Sequence, residues 1–231
     1  MDAAEFDVFA EEYLATHQKN LKISGEEPDY FARYKLDELR RLWTHKRFPE
    51  PEAMLDFGCG IGASLPQLAR VFPNARLTGL DVSAKSLEIA GRLHPGVAEL
   101  VQYDGDTPPF AEASFDLIFS ACVFHHIDHG EHARILTSLK RLLRPGGRLV
   151  IFEHNPINPV TRYIVATCPF DRNARLLAAD AFARAQARAG FSRVETRFTG
   201  FFPGPLKALR PLEPALASLP VGAQYYTLAD V

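Results

Sequence analysis

The sequence predicts an α/β protein, a doubly wound and mostly parallel sheet of seven strands with helices on both faces. Three observations carry this expectation. Short apolar runs over 53–56, 76–81 and 98–104 each end in an acid. Segments of helical period separate them, and parallel neighbours joined in this way require right-handed crossovers. The first run then breaks into alternating glycines, Gly58, Gly60 and Gly62, as a strand does when it delivers a ligand-binding turn.

Each element has its local reason. The turn Asp56-Phe57-Gly58-Cys59-Gly60-Ile61-Gly62-Ala63 needs backbone angles open to glycine, and without Cβ atoms it lets a ligand lie against the main chain. The helix expected over 64–71 carries Pro66 in its first turn, where a missing N–H costs little. A second strand over 76–81 ends at Asp81, with a helix over 84–94 after it. The third strand, 98–103, delivers Asp104-Gly105-Asp106. Strands over 114–119 and 148–152, a helix over 178–189 and alternating stretches over 191–201 and 224–229 complete the pattern.

The glycine turn alone is ambiguous, since Gly58-x-Gly60-x-x-Ala63 also satisfies the looser dinucleotide fingerprint. Charge separates the two ligands. A pyrophosphate at the helix N-terminus wants bare N–H donors, so an acid two residues before the first glycine is unwelcome. Asp56 is that acid, and it suits a cationic sulfonium ligand instead. Asp81 stands at the usual distance for a carboxylate that grips both hydroxyls of a ribose, a demand common to both ligands.

In order and spacing, these motifs resemble the class I S-adenosylmethionine-dependent methyltransferases, especially their small-molecule branch, over about residues 53–153. Ser114-Phe115-Asp116-Leu117-Ile118-Phe119 and Leu143-Arg144-Pro145-Gly146-Gly147-Arg148-Leu149 extend the match. The resemblance implies a Rossmann-like sheet closed by a C-terminal antiparallel hairpin, with S-adenosyl-L-methionine as cofactor. It also implies roles: Asp56, Gly58 and Gly60 hold the methionine end, Asp81 takes the ribose, Val82 packs on the adenine, and Asp104 with Gly105 reads the adenine edge.

Composition agrees with one enzyme domain spanning 1–231. A chain of 231 residues buries roughly 70–75% of its unfolded surface, ample for one core. A formal net charge of −2 offers no basic field, so nucleic acid is not an expected partner. Asp106-Thr107-Pro108-Pro109-Phe110 is set aside as a nucleobase-methylation signature, because Thr107 interrupts it and it precedes the fourth strand. Three scattered cysteines suit a reducing compartment, no compact metal-ligand set is visible, and neither a signal pattern nor an 18-residue apolar run appears. A cytoplasmic location without integral membrane association is expected; oligomeric state is unreadable.

For chemistry, the candidates stand after the fourth and fifth strands. His125 and His126 follow strand four beside the expected methyl position, with His126 preferred as the group that takes a proton from the acceptor. Glu153 and His154 end strand five at the same edge, where Glu153 either meets the acceptor or braces a neighbouring backbone. Three segments exceed the cofactor-binding core of 53–153: an N-terminal helical lid over 1–48, in which Tyr30, Arg33 and Tyr34 are possible cofactor contacts, and caps over 154–175 and 202–223. Leu209, Leu212, Leu216 and Leu219 have helical spacing, which predicts an amphipathic cap helix. The expected activity is methyl transfer to a small-molecule acceptor, at oxygen, on a partly apolar natural product, a lipid-linked molecule or a sugar. The rivals are a nicotinamide-dependent oxidoreductase and a non-catalytic S-adenosylmethionine-binding subunit.

Overall fold

The computed structural model describes residues 30–171 and 173–231. Its elements are α1 (Tyr30–Lys46), β1 (Ala53–Phe57), α2 (Leu65–Val71), β2 (Arg76–Asp81), α3 (Ala84–Leu93), β3 (Glu99–Gln102), β4 (Phe115–Ala121), α4 (His132–Leu142), β5 (Leu143–His154), α5 (Pro159–Thr167), α6 (Ala179–Arg188), β6 (Ser192–Thr199), α7 (Glu213–Leu216) and β7 (Gln224–Asp230). Residues 1–29 of the expected lid, including its start near Pro28, lie outside the described residues.

The seven strands form one sheet in the order β3-β2-β1-β4-β5-β7-β6. β1 runs parallel to β2 and β4, β2 to β3, and β4 to β5. Only β7 is reversed, pairing antiparallel with β5 on one side and β6 on the other. Every residue of β1 is buried, as a central parallel strand covered on both faces must be. Its alternation divides the core: Leu55 and Phe57 join Leu80, Ile118, Phe124 and Tyr225, whereas Met54 joins Leu36, Leu39, Trp43, Phe152 and Tyr226 on the opposite face. α1 supplies part of that second layer because Leu36, Leu39, Leu42 and Trp43 recur at helical spacing.

Two of the sequence signatures brace the amino-terminal end of the strands, away from the site. Asp116 accepts the backbone N–H groups of Glu52 and Ala53, both at 2.9 Å, and pairs with Arg144 at 3.0 Å. That triangle ties the entrances of β1, β4 and β5 together.

The 202–223 segment departs from the expected single amphipathic helix. It consists of 3-10 turns over Gly204–Leu212 and the one-turn α7, with Pro211 inside the former and Leu206 non-helical. Leu206, Leu209, Leu212 and Leu219 lie exposed. The reason is local: proline at 203, 205, 211, 214 and 220 removes the donors that a continuous helix needs, whatever the leucine spacing. Buried Glu213 holds the segment instead, accepting from Phe201 N (3.1 Å) and Phe202 N (3.0 Å) and from the Tyr34 hydroxyl.

Candidate active site

The strand order reverses between β1 and β4, so the crevice of this sheet opens at their carboxyl ends. From β1 comes the glycine turn. Gly58 N and Cys59 N both donate to Leu80 O, at 2.8 and 3.1 Å, which folds the turn back over β2. Gly58 adopts φ +73°, and a Cβ there would stand 2.5 Å from Val123 Cγ2, so backbone angle and packing both demand glycine. Asp81 secures the other side of the turn: its two carboxylate oxygens accept from Gly60 N (2.7 Å) and Ser83 N (2.9 Å).

Asp56 ends inside this turn. It is 2% exposed, and its Oδ2 is a buried oxygen with no hydrogen-bond partner among the described residues. Burial first, and then the neighbouring charge of Asp81, push its carboxyl up to about 8, against the opposing pull of Lys35. Lys35 itself is buried on α1 and donates to Cys122 Sγ at 3.5 Å. The lid helix therefore presents Lys35 to the site. Of the lid residues singled out by sequence, Tyr34 instead latches α1 to the C-terminal cap through Glu213, Thr199 Oγ1 (2.5 Å) and Gly200 N (2.9 Å). Tyr30 stacks on Tyr34 and carries Arg210 over its ring, while Arg33 is exposed.

The β2 and β3 ends form a second wall. Val82 is buried, and Gly105 turns beside it at φ +86°, where a Cβ would touch Val82 Cγ1 at 3.6 Å. Exposed Asp104 accepts Asp106 N at 2.9 Å. Arg134 of α4 anchors this turn by donating to Gly105 O (3.2 Å) and Asp106 O and by pairing with the Asp106 carboxylate at 2.7 Å. The Tyr103 hydroxyl, like Asp56 Oδ2, is buried with no hydrogen-bond partner among the described residues.

The opposite wall comes from the turn after β4. Cys122 takes φ +59°, and a single 3-10 turn, Phe124–His126, follows. Glu153, fully buried at the end of β5, holds this turn. Its Oε1 accepts from Val123 N (3.1 Å) and Phe124 N (2.7 Å), while Oε2 meets His125 Nδ1 at 2.6 Å. It reaches the site only through His125, since none of its surface is open. Burial opposes a charge on His125, yet Glu153 and Asp171 outweigh it and hold the imidazole at about 10. His126 goes the other way: burial and the His125 charge lower it to about 4, so at neutral pH its ring is uncharged. Both Nε2 atoms lie 3.5 Å from Asp171 Oδ1.

Sequence reasoning missed Lys35, Cys122, Tyr103, Arg134 and Asp171. Cys122 resists ionisation through burial, but Lys35 and His154 bring its thiol down to about 6. Asp171 belongs to the 154–175 cap, and only the tertiary fold brings it to the histidines.

A glycine turn, the buried acid Asp56 and the strand-end carboxylate Asp81 thus meet at the switch point of the sheet. Residues 55–151 match the family described as "Methyltransferase domain", and this stretch is a class I S-adenosylmethionine-dependent methyltransferase domain. Its cofactor is S-adenosylmethionine. The residues fit that group on their own geometry: the unpartnered Asp56 Oδ2 and Tyr103 hydroxyl are buried polar atoms awaiting a donor or acceptor, and the turn excludes side chains where a ligand would lie.

Among characterised proteins, the chain is similar to the demethylmenaquinone methyltransferase of Thermotoga maritima, 40% identical over 109 residues, covering 47% of this chain and 46% of that one. It is also similar to the malonyl-[acyl-carrier protein] O-methyltransferase of Hahella chejuensis, 38% identical over 101 residues, covering 43% and 36%. The match thus spans about half or less of these relatives' length. In fold it is similar to a S-adenosylmethionine-dependent methyltransferase from Thermotoga maritima described as a possible histamine N-methyltransferase, with TM-score 0.65, 17% identity and 99% of each chain covered. Among the described residues, no helix is long and apolar enough to cross a membrane.

Proposed function

We propose that this protein transfers a methyl group from S-adenosylmethionine to a hydroxyl oxygen of a partly apolar small molecule. The observation that carries the reading is the placement of Asp56 and the His125–His126 pair at the carboxyl ends of the adjacent strands β1 and β4. The cofactor supplies a methyl carbon made electrophilic by a sulfonium. Asp56 attracts the cationic end, Asp81 holds the ribose, Val82 packs on one face of the adenine, and Asp104 with the Gly105 backbone reads its edge. The His125–His126 pair assists ionisation of the acceptor hydroxyl, whose proton leaves to solvent, as its oxygen takes up the methyl and the C–S electron pair stays with sulfur. Glu153 is a positioning residue that fixes His125 and the turn bearing both rings.

Magnitudes order these contributions. Alignment of acceptor and methyl supplies about 7–11 kcal/mol, whereas assistance to the hydroxyl supplies about 10²–10⁴-fold, or roughly 3–5 kcal/mol. An apolar acceptor is supported by the exposed Ile157, Val160, Tyr163, Leu206, Leu209 and Leu212 of the two caps. The name of the Hahella relative supports oxygen as the methylated atom.

The test is methyl-labelled S-adenosylmethionine with a panel of hydroxylated apolar acceptors, the product's methyl carbon being assigned by NMR. An O-methyl ether or ester is expected. Labelled products methylated only at nitrogen or carbon would overturn the choice of oxygen. No thermal shift with S-adenosylhomocysteine would overturn the assignment of the cofactor residues.

A further inference from the structure

We propose that His125, His126 and Asp171 form a three-ligand site for a divalent transition-metal ion of zinc-like chemistry, placed where the acceptor hydroxyl is ionised. The inference rests on the methyl-transfer reading and specifies how the histidine pair acts in it.

Geometry makes the argument. One ligand atom from each residue lies within 4.8 Å of the others. The two nitrogen-to-carboxylate separations are equal, 3.5 Å from His125 Nε2 and 3.5 Å from His126 Nε2 to the same Asp171 Oδ1. Both are long for a hydrogen bond. Two ligands bonded at about 2.1 Å to one tetrahedral ion stand roughly 3.4 Å apart, which is this spacing. The remaining pair closes by at most about 1.4 Å, a side-chain rotation for His126, whose ring is the more open of the two.

The surroundings match what a metal-bound imidazole needs. A ligating histidine almost always gives its other ring N–H to a carboxylate or carbonyl, which fixes tautomer and orientation. Here Glu153 Oε2 sits 2.6 Å from His125 Nδ1, and Glu153 is itself pinned by two backbone N–H groups. That bond orients Nε2 toward Asp171, 3.5 Å away, and a metal ion entering there displaces the proton on that nitrogen. Asp171 is set by its own backbone, with Asp171 N on Cys168 O at 3.2 Å and Ala174 N on Asp171 O at 2.9 Å. The His125 side chain is 1% exposed, but His126 and Asp171 are 16% and 13% exposed, so the cluster is closed behind and open toward the crevice.

Two imidazoles and one carboxylate select zinc, cobalt, nickel or ferrous iron over magnesium or calcium, which want more oxygen ligands. Three protein ligands with an open position is the substrate-accepting form of such a site. The acceptor hydroxyl binds there and loses its proton to solvent. Its oxygen lone pair then forms the new O–C bond, while the C–S pair stays with sulfur as a neutral thioether. The acceptor class follows: a hydroxyl whose single oxygen takes the one open position.

Cobalt(II) titrated into metal-free full-length protein, without acceptor, should give visible ligand-field absorption that saturates at one equivalent. His126→Ala and Asp171→Asn should each abolish saturation while keeping the wild-type thermal shift with S-adenosylhomocysteine, which shows that fold and cofactor site survive. Glu153→Gln should weaken binding about 10–100-fold. No saturable absorption in the wild type, or unchanged saturation in both ligand variants, would overturn the metal site. Either result would leave the methyltransferase reading standing if the S-adenosylhomocysteine shift persists.

Discussion

Asp56→Asn keeps the shape of the side chain and removes its charge, so it isolates what the buried carboxyl does when the cofactor arrives. In the free protein burial and Asp81 hold this group at about 8. At pH 7 it is therefore about 90% protonated, and a cation bound against it must drive off about 0.9 proton; at pH 9 only about 0.1 remains to be released. Ionising the group at pH 7 costs about 1.4 kcal/mol, one unit at about 1.4 kcal/mol each, and offsets most of the roughly 1.5–3 kcal/mol that a charge-assisted contact contributes. Asp56→Asn should then weaken S-adenosylhomocysteine binding by less than about 15-fold at pH 7 but by about 10–150-fold above pH 8. Titration calorimetry in two buffers of different ionisation enthalpy reads both quantities. The wild-type-minus-variant difference cancels the ligand's own ammonium group. The folded-state pKa is raised, so the stability this group contributes is full below about pH 4 and is lost as pH rises through about 8; the cofactor-free wild type should lose ground to the variant over that window. Equal proton release by both proteins, or an affinity ratio flat with pH, would refute the reasoning.

His126→Ala should leave the S-adenosylhomocysteine shift intact and lower methyl transfer about 10²–10⁴-fold in single-turnover assays; an equal loss of cofactor binding would show the residue has been given the wrong role. Gly58→Ala strains a φ of +73° and drives a methyl into Val123. It should cost about 1–3 kcal/mol, seen as a melting temperature lower by roughly 2–12 °C, together with lost cofactor binding. Glu153→Ala strands two backbone donors and the His125 ring in a buried site. About 3–5 kcal/mol of stability should disappear in denaturant titration, and a change within about 0.5 kcal/mol would deny Glu153 its bracing part.

The glycine-turn half of the candidate site was legible because its signals are local. An apolar run, an acid and a glycine turn lie within ten residues of one another, and their backbone demands can be read one residue at a time. The acceptor half was not, because it is assembled across the chain. Lys35 arrives from a helix whose neighbours Tyr34 and Arg33 looked more promising, and Asp171 arrives from a cap with no motif of its own. α4 was also left unassigned, although Ile135, Leu136, Leu139 and Leu142 carry a buried helical stripe that a period search through 131–142 would have found. In the C-terminal cap the leucine spacing was real, but proline decided the backbone and left the leucines outside.

Tyr34 and Lys35 are consecutive on one rigid helix, yet they serve different neighbourhoods. The tyrosine is latched to Glu213 in the C-terminal cap, and the lysine lies beside Cys122 and its charge acts on Asp56. The helix is thus a lever with the cap on one arm and the cofactor's acid on the other. A displacement of the cap that moved this helix would therefore also change the distance between the lysine cation and Asp56, so the two neighbourhoods are coupled without any contact between them.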